Sequence, residues 1–323
     1  MPFVNTFHPE RFHGFNARPP YFEGWFYKVV TADRQEVFAF IPGMFIDKTP
    51  SKSHSFIQVL DGHHRATYHR FPISAFKAEK NAFSVHVDSS QFGWEAFSVA
   101  INSEGRQISG KINLHDVTPW PVSAFSPGIM GPFGLLPFMQ CYHGVPSLYH
   151  TLSGRLSVDG RVINFDGGIG YVEKDWGSGF PEAYIWMQCN HFETPRMCLS
   201  ASVAKIPFPT GTFRGFIIGL LLPDGRLQKW TTYSGARLYN VNITDTTVSF
   251  EVSDRHFRMA VSAERTEGGL LHAPYERDMI QKISETLRST IRMKVWEKGN
   301  LLLEEIGEVA GLDVNGDSTW VTG

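Results

Sequence analysis

Gly167–Phe192, GGIGYVEKDWGSGFPEAYIWMQCNHF, reads as two extended segments that meet at a tight turn. Side chains alternate across a strand, so Tyr171, Glu173 and Asp175 project from one face while Val172, Lys174 and Trp176 take the other. Two carboxylates therefore share a side. Past the turn WGSGFP, Tyr184, Trp186, Gln188 and Asn190 line one face against Ile185, Met187 and Cys189. A polar face made of aromatics and amides, without Lys, suits a pocket better than an open surface. The competing reading is a structural network in which Glu173, Lys174 and Asp175 pair among themselves.

Outward from this stretch, the run PPYFEGWFYK puts Tyr21, Glu23, Trp25 and Tyr27 on one face of a strand and Phe22, Phe26 and Lys28 on the other. A Glu among three large aromatics is a candidate acid or the salt-bridge partner of an Arg at a barrel mouth. Hairpin signals recur along the chain: Thr31–Gln35, Leu60–His64, SEGR at Ser103–Arg106, VDGR at Val158–Arg161 and PDGR at Pro223–Arg226. Such spacing predicts antiparallel meanders that close into barrels or sandwiches. Pro274–Arg288 has Met279, Ile280, Ile283 and Leu287 at helical spacing behind a first-turn Pro, and predicts a single helix near 275–289 followed by strands. Pro119–Gly144 is rich in Gly and Pro and also strongly apolar, which predicts a packed loop or lid carrying Tyr142 and His143 at its end, rather than a solvated tether. A domain boundary is expected there, dividing 1–145 from 146–323. FEGW at Phe22–Trp25 and VEKDW at Val172–Trp176 echo each other, as if each half began on a related strand.

The chain has 323 residues, 42% hydrophobic and 19% charged, enough for a large core or two domains. A formal charge of -2 without an arginine-rich run argues against nucleic acid and anionic lipid as partners. Aromatics make up 14%, including 26 Phe and eight Trp, which suits an aromatic-lined cavity. Three cysteines, Cys141, Cys189 and Cys198, are too few for a disulfide framework and suggest a reducing compartment. No apolar leader opens the chain and the longest apolar run, Phe216–Leu222, is too short to span a bilayer, so the expected setting is cytoplasmic. None of the 13 histidines falls in a metal-ligand spacing, and no metal or other cofactor is expected. GGIGYVE lacks the following helix that a phosphate loop needs, and no G-x-S-x-G elbow is present.

At FEGWFYK and at EKDWGSGFPEAYIWMQCNHF the chain resembles the tocopherol cyclase family, and Ala273–Gly316 looks like that family's ending. The resemblance implies an all-β fold of two lipocalin-like, calycin-like antiparallel barrels. It also implies kinship with cofactor-independent hydratases and cyclases acting on isoprenoid or polyketide-like compounds. The expected activity is cyclisation of a prenylated phenol or quinol by acid-triggered addition to an alkene. Glu173 is the expected acid, with Asp175 and Glu23 as the other candidate carboxyls. Tyr21, Trp25, Tyr27, Tyr142, His143, Tyr171, Trp176, Tyr184, Trp186, Gln188 and Asn190 are the expected ligand contacts, the aromatics for a carbocation and Gln188 for the phenol. A hydratase differs only in letting water capture the cation. A non-catalytic carrier of an apolar ligand is the alternative from another class, although two acids in a lining serve a carrier poorly.

Overall fold

A computed structural model describes residues 7–123, 126–275 and 278–321. The protein is nearly all β, in two antiparallel sheets, one of which nearly closes into a barrel. Each of the five turns read from the sequence joins two paired strands, and the left-handed backbone of each reversal falls on Arg34, on His64, on Glu104 and Gly105, on Asp159 and Gly160, and on Gly225.

In the first sheet the strands follow one another as Ala66–Pro72, His54–Asp61, Val37–Ile46, Tyr21–Val30, Ile169–Gly177, Cys141–Val158, Arg106–Thr118, Ala96–Ser103, Ser90–Gly93, Ser84–Val87 and Phe76–Ala78. Its core gathers Trp25, Tyr27, Phe40, Phe92, Phe97 and Val172. The second sheet runs Leu227–Thr231, Gly211–Leu221, Cys198–Phe208, Tyr184–Cys189, Asn300–Asn315, Asp278–Glu297, Phe257–Glu264, Thr247–Ser253 and Arg237–Ile243. Ile185, Met187, Leu199, Trp230, Val248 and Val295 fill its core.

Several expectations change here. The chain divides into two compact units, one reaching Phe180 and including Leu270–Ile283, the other made of Pro181–Gly269 and the chain from Ser284 onward. A boundary at 145 would cut the strand Cys141–Val158, so the expected division is misplaced. The two segments of Gly167–Phe192 do not pair with each other: Ile169–Gly177 sits between Tyr21–Val30 and Cys141–Val158, and Tyr184–Cys189 belongs to the second sheet. The echoing motifs are likewise not the starts of two halves but neighbours in one sheet, Trp25 opposite Lys174.

The expected helix is also absent. Gly269–Tyr275 and Asp278–Glu297 are strands, with 276–277 outside the described residues. Met279, Ile283 and Leu287 are four apart, a spacing that period 2 satisfies as well as period 3.6. Burial decides the period: Ile283, Glu285, Leu287, Ser289, Ile291, Met293 and Val295 are buried, and Ile280, which only a helix would have turned inward, is exposed. Among the described residues the helical pieces are 3-10 turns of three to five residues. No helix there is long and apolar enough to cross a membrane.

Candidate active site

Tyr171, Glu173 and Asp175 do share a face, and the neighbouring strand adds a histidine to it. Register sets His143 opposite Asp175, and directly opposed residues of an antiparallel pair project to the same side. His143 Nδ1 donates to Asp175 Oδ1 at 2.7 Å, and its Nε2 lies 4.0 Å from Glu173 Oε2. The Tyr171 hydroxyl donates to the same Glu173 oxygen at 2.6 Å. Glu173 is 5% exposed and Tyr171 fully buried. Burial favours a neutral imidazole, but the charges of Asp175 and Glu173, with the hydrogen bond to Asp175, override it and raise His143 to about 9. The imidazole is therefore protonated at neutral pH, a cation held between two carboxylates. Cys141, whose sulfur lies 4.0 Å from Asp175 Oδ1, is pushed up by burial and then by the same two acids, so it stays a thiol. From the other side Phe26 stands opposite Glu173, and Lys28, itself buried, opposite Tyr171.

Glu23 does not join this cluster. It lies on the opposite, core-facing side of the sheet with Tyr21, Trp25, Tyr27, Val172, Lys174 and Trp176. Its carboxylate takes the Lys174 ammonium at 2.5 Å, the Tyr21 hydroxyl at 2.5 Å and the His13 backbone N–H at 2.9 Å. Lys174 also donates to the Arg11 carbonyl and lies 4.9 Å and 4.5 Å from the Trp25 and Trp176 ring centres. Burial pushes Glu23 up and Lys174 down, each opposed by the other's charge. So many donors around one carboxylate describe a saturated buried ion pair, and the partner is the buried Lys174, not the expected Arg at a barrel mouth. Trp25 gives its indole N–H to the Glu10 carbonyl, Tyr27 its hydroxyl to the Gly93 carbonyl, and Tyr142 stacks on Trp176. These aromatics hold the core together.

On the second sheet Tyr184, Trp186 and Gln188 share one face, as the alternation predicted, while Ile185, Met187 and Cys189 enter the core. Asn190 is buried just past the strand end. That face carries a carboxyl that the sequence reading missed: Asp313, opposite Trp186, accepts the Tyr184 hydroxyl at 2.5 Å. The signal was present in the alternation of GLDVNG, where Leu312 and Val314 face inward and leave Asp313 outside the core. A cavity of about 490 Å³ in the first unit, lined by Arg11, Phe83, Gln91, Trp94 and Lys111 among others, includes none of the expected site residues. Among the described residues, His143, Glu173 and Asp175 are also the group that offers three ligand atoms within 4.8 Å of one another, a spacing on which a cation can close.

With that geometry in place, comparison adds ancestry. The sequence model of the family described as Tocopherol cyclase-like matches residues 147–316, more than half of the chain. The chain belongs to the tocopherol cyclase-like family. A tocopherol cyclase of Zea mays, described as chloroplastic, is 23% identical over 204 residues, covering 60% of this chain and 43% of its own. This tocopherol cyclase-like chain thus spans less than half the length of that relative. Among solved structures, CghA with Sch210972 is similar at a TM-score of 0.58 and 11% identity, covering 93% of this chain and 89% of that one. Kievitone hydratase from Nectria haematococca is similar at 0.52 and 11%, covering 98% and 96%. At such identities the likeness is one of fold.

Proposed function

We propose that this protein is a cofactor-independent cyclase that closes a ring on a prenylated phenol or quinol by adding the phenolic oxygen across a trisubstituted alkene. The observation that carries the reading is His143 set between Asp175, at 2.7 Å, and Glu173, at 4.0 Å, on a buried strand face, where the two acids raise the imidazole to about 9. Membership of the tocopherol cyclase-like family supports it.

Asp175 fixes the Nδ1–H side of the imidazolium, which leaves Nε2–H directed toward Glu173. Transfer of that proton across the 4.0 Å gap, once closed, makes Glu173 a neutral carboxylic acid. Glu173 then protonates an alkene carbon, and Phe26, opposite it on the next strand, offers a π face to the tertiary cation. The phenolic oxygen captures the cation: a C–O bond forms, the O–H bond breaks, and the released proton returns to His143. One proton enters at carbon and one leaves oxygen, so no oxidant or reductant is required. Capture by water instead would make the same chemistry a hydration.

Turnover of a prenylated hydroquinone in deuterated water tests the reading. One non-exchanging deuterium on the new ring carbon framework is expected, and its loss of rate in Glu173→Gln while substrate still binds. A product without deuterium, or an unchanged rate in that variant, would reject it.

A further inference from the structure

Asp313 has a feature that the proton cycle of the first unit does not involve. The residue is 4% exposed, and one of its oxygens, Oδ2, accepts the Tyr184 hydroxyl. The other, Oδ1, is buried and has no hydrogen-bond partner among the described residues. Leaving a buried carboxyl oxygen unmatched carries the full cost of removing it from water, so such an oxygen marks a place where a donor or acceptor is expected.

The surroundings narrow what that group is. Trp186 and Glu285 are the cross-strand neighbours of Asp313, and Ser202 lies beyond Trp186 on the next strand. The Trp186 ring lies against Gly311, where an added Cβ would come within 2.7 Å of two ring carbons. Only a residue without a side chain lets the indole take that place, two positions from Asp313. A nearly buried indole, 7% exposed, therefore stands on the same strand face as the unmatched carboxyl oxygen. Burial, opposed by the Tyr184 hydrogen bond, raises Asp313 to about 7, so both protonation states are populated near neutral pH. A hydroxyl matches both, donating to the carboxylate or accepting from the acid. A carbonyl or ether oxygen matches only the acid, and an ammonium only the carboxylate.

We propose that Asp313, Tyr184 and Trp186 form a binding site on the second unit for the hydroxyl of an aromatic, apolar ligand, with Asp313 Oδ1 as the atom that meets it. The site stands on the second unit's own geometry and does not require the cyclase reading. Gln188, two residues from Trp186 and fully buried, and Ser202 continue the same face.

The test compares 2-prenylphenol with its methyl ether, which keeps the apolar surface and loses the O–H, by calorimetry on the full chain. The phenol is expected to bind at least about tenfold more tightly to the parent. Asp313→Ala should abolish that preference, and Glu173→Gln should retain it. Equal affinities, no binding of the phenol, or a preference that survives Asp313→Ala would overturn the proposal. Because truncation at a buried position can disturb the sheet, carbon NMR of labelled aspartate in the unaltered protein gives a second reading. The Asp313 carboxyl resonance should move when the phenol is added and hold still with the ether; an unmoved resonance at saturating phenol would also overturn it.

Discussion

An imidazole that carries its proton between two carboxylates makes the cluster sensitive to pH in a direction that can be worked out. His143 is raised from its ordinary 6.5 to about 9, so its contribution to stability is complete below 6.5 and is lost as pH rises through 9. The contribution is on the order of 3 kcal/mol. His143→Gln should therefore melt lower than the parent at mildly acid pH, and the gap should shrink between pH 6.5 and 9; a gap that widens across that interval would contradict the placement of the proton. For turnover, Glu173→Gln preserves shape and the Tyr171 contact but removes the transferable proton, and a loss of about a hundredfold or more is expected in steady-state kinetics. The imidazolium already supplies positive charge to both acids. Dialysis against a chelator should then leave the rate unchanged, and a rate restored only by a divalent ion would instead make His143, Glu173 and Asp175 ligands.

At the level of elements, the strands Tyr21–Val30 and Ile169–Gly177 are joined on their core side by Glu23 and Lys174, both without exposed surface. Removing one partner leaves the other charge buried and uncompensated. Lys174→Met should cost about 3 to 5 kcal/mol, and adding Glu23→Gln should recover part of that loss, as a double-mutant cycle by urea unfolding would show. Additive losses would mean that the two groups do not depend on each other. The segment before Cys141–Val158 has the opposite character. Ile129 and Met130 are buried, and Met130 sulfur lies 3.3 Å from the His143 backbone nitrogen. Tyr142 donates its hydroxyl to the Leu136 carbonyl, while Leu135 and Phe138 are exposed. An irregular segment tied to the cluster at its ends and exposed in between is suited to move on ligand entry. Hydrogen exchange across 126–140 should slow when a prenylated phenol is bound, and unaltered protection with ligand bound would count against a lid.

At the scale of the molecule, what could be read from the sequence was what short range determines. Turn chemistry at Asp61-Gly62 or Asp224-Gly225 and the period of Tyr171, Glu173 and Asp175 are local, and both hold in the structure. The partner of each strand is not local. Nothing within Gly167–Phe192 says that its two segments enter different sheets, and a spacing of four left Met279, Ile283 and Leu287 undecided between helix and strand until burial chose. Asp313 is not distinguished locally, because its importance comes from Tyr184, 129 positions away in the chain. The same long-range closure yields a last prediction. Tyr21–Val30 obtains one of its two neighbours only when Ile169–Gly177 arrives, and Glu23 obtains its cation from that same strand. A fragment of residues 1–145 would therefore end inside Cys141–Val158, expose an open edge at Tyr21–Val30 and bury Glu23 without Lys174. Open apolar edges aggregate and an unpaired buried carboxylate destabilises, so that fragment is expected to be insoluble or loosely collapsed, with poor amide dispersion in NMR. A soluble, well-dispersed 1–145 fragment would show that the first sheet closes without Ile169–Gly177, and the ion pair would then be a consequence of the fold rather than one of its supports.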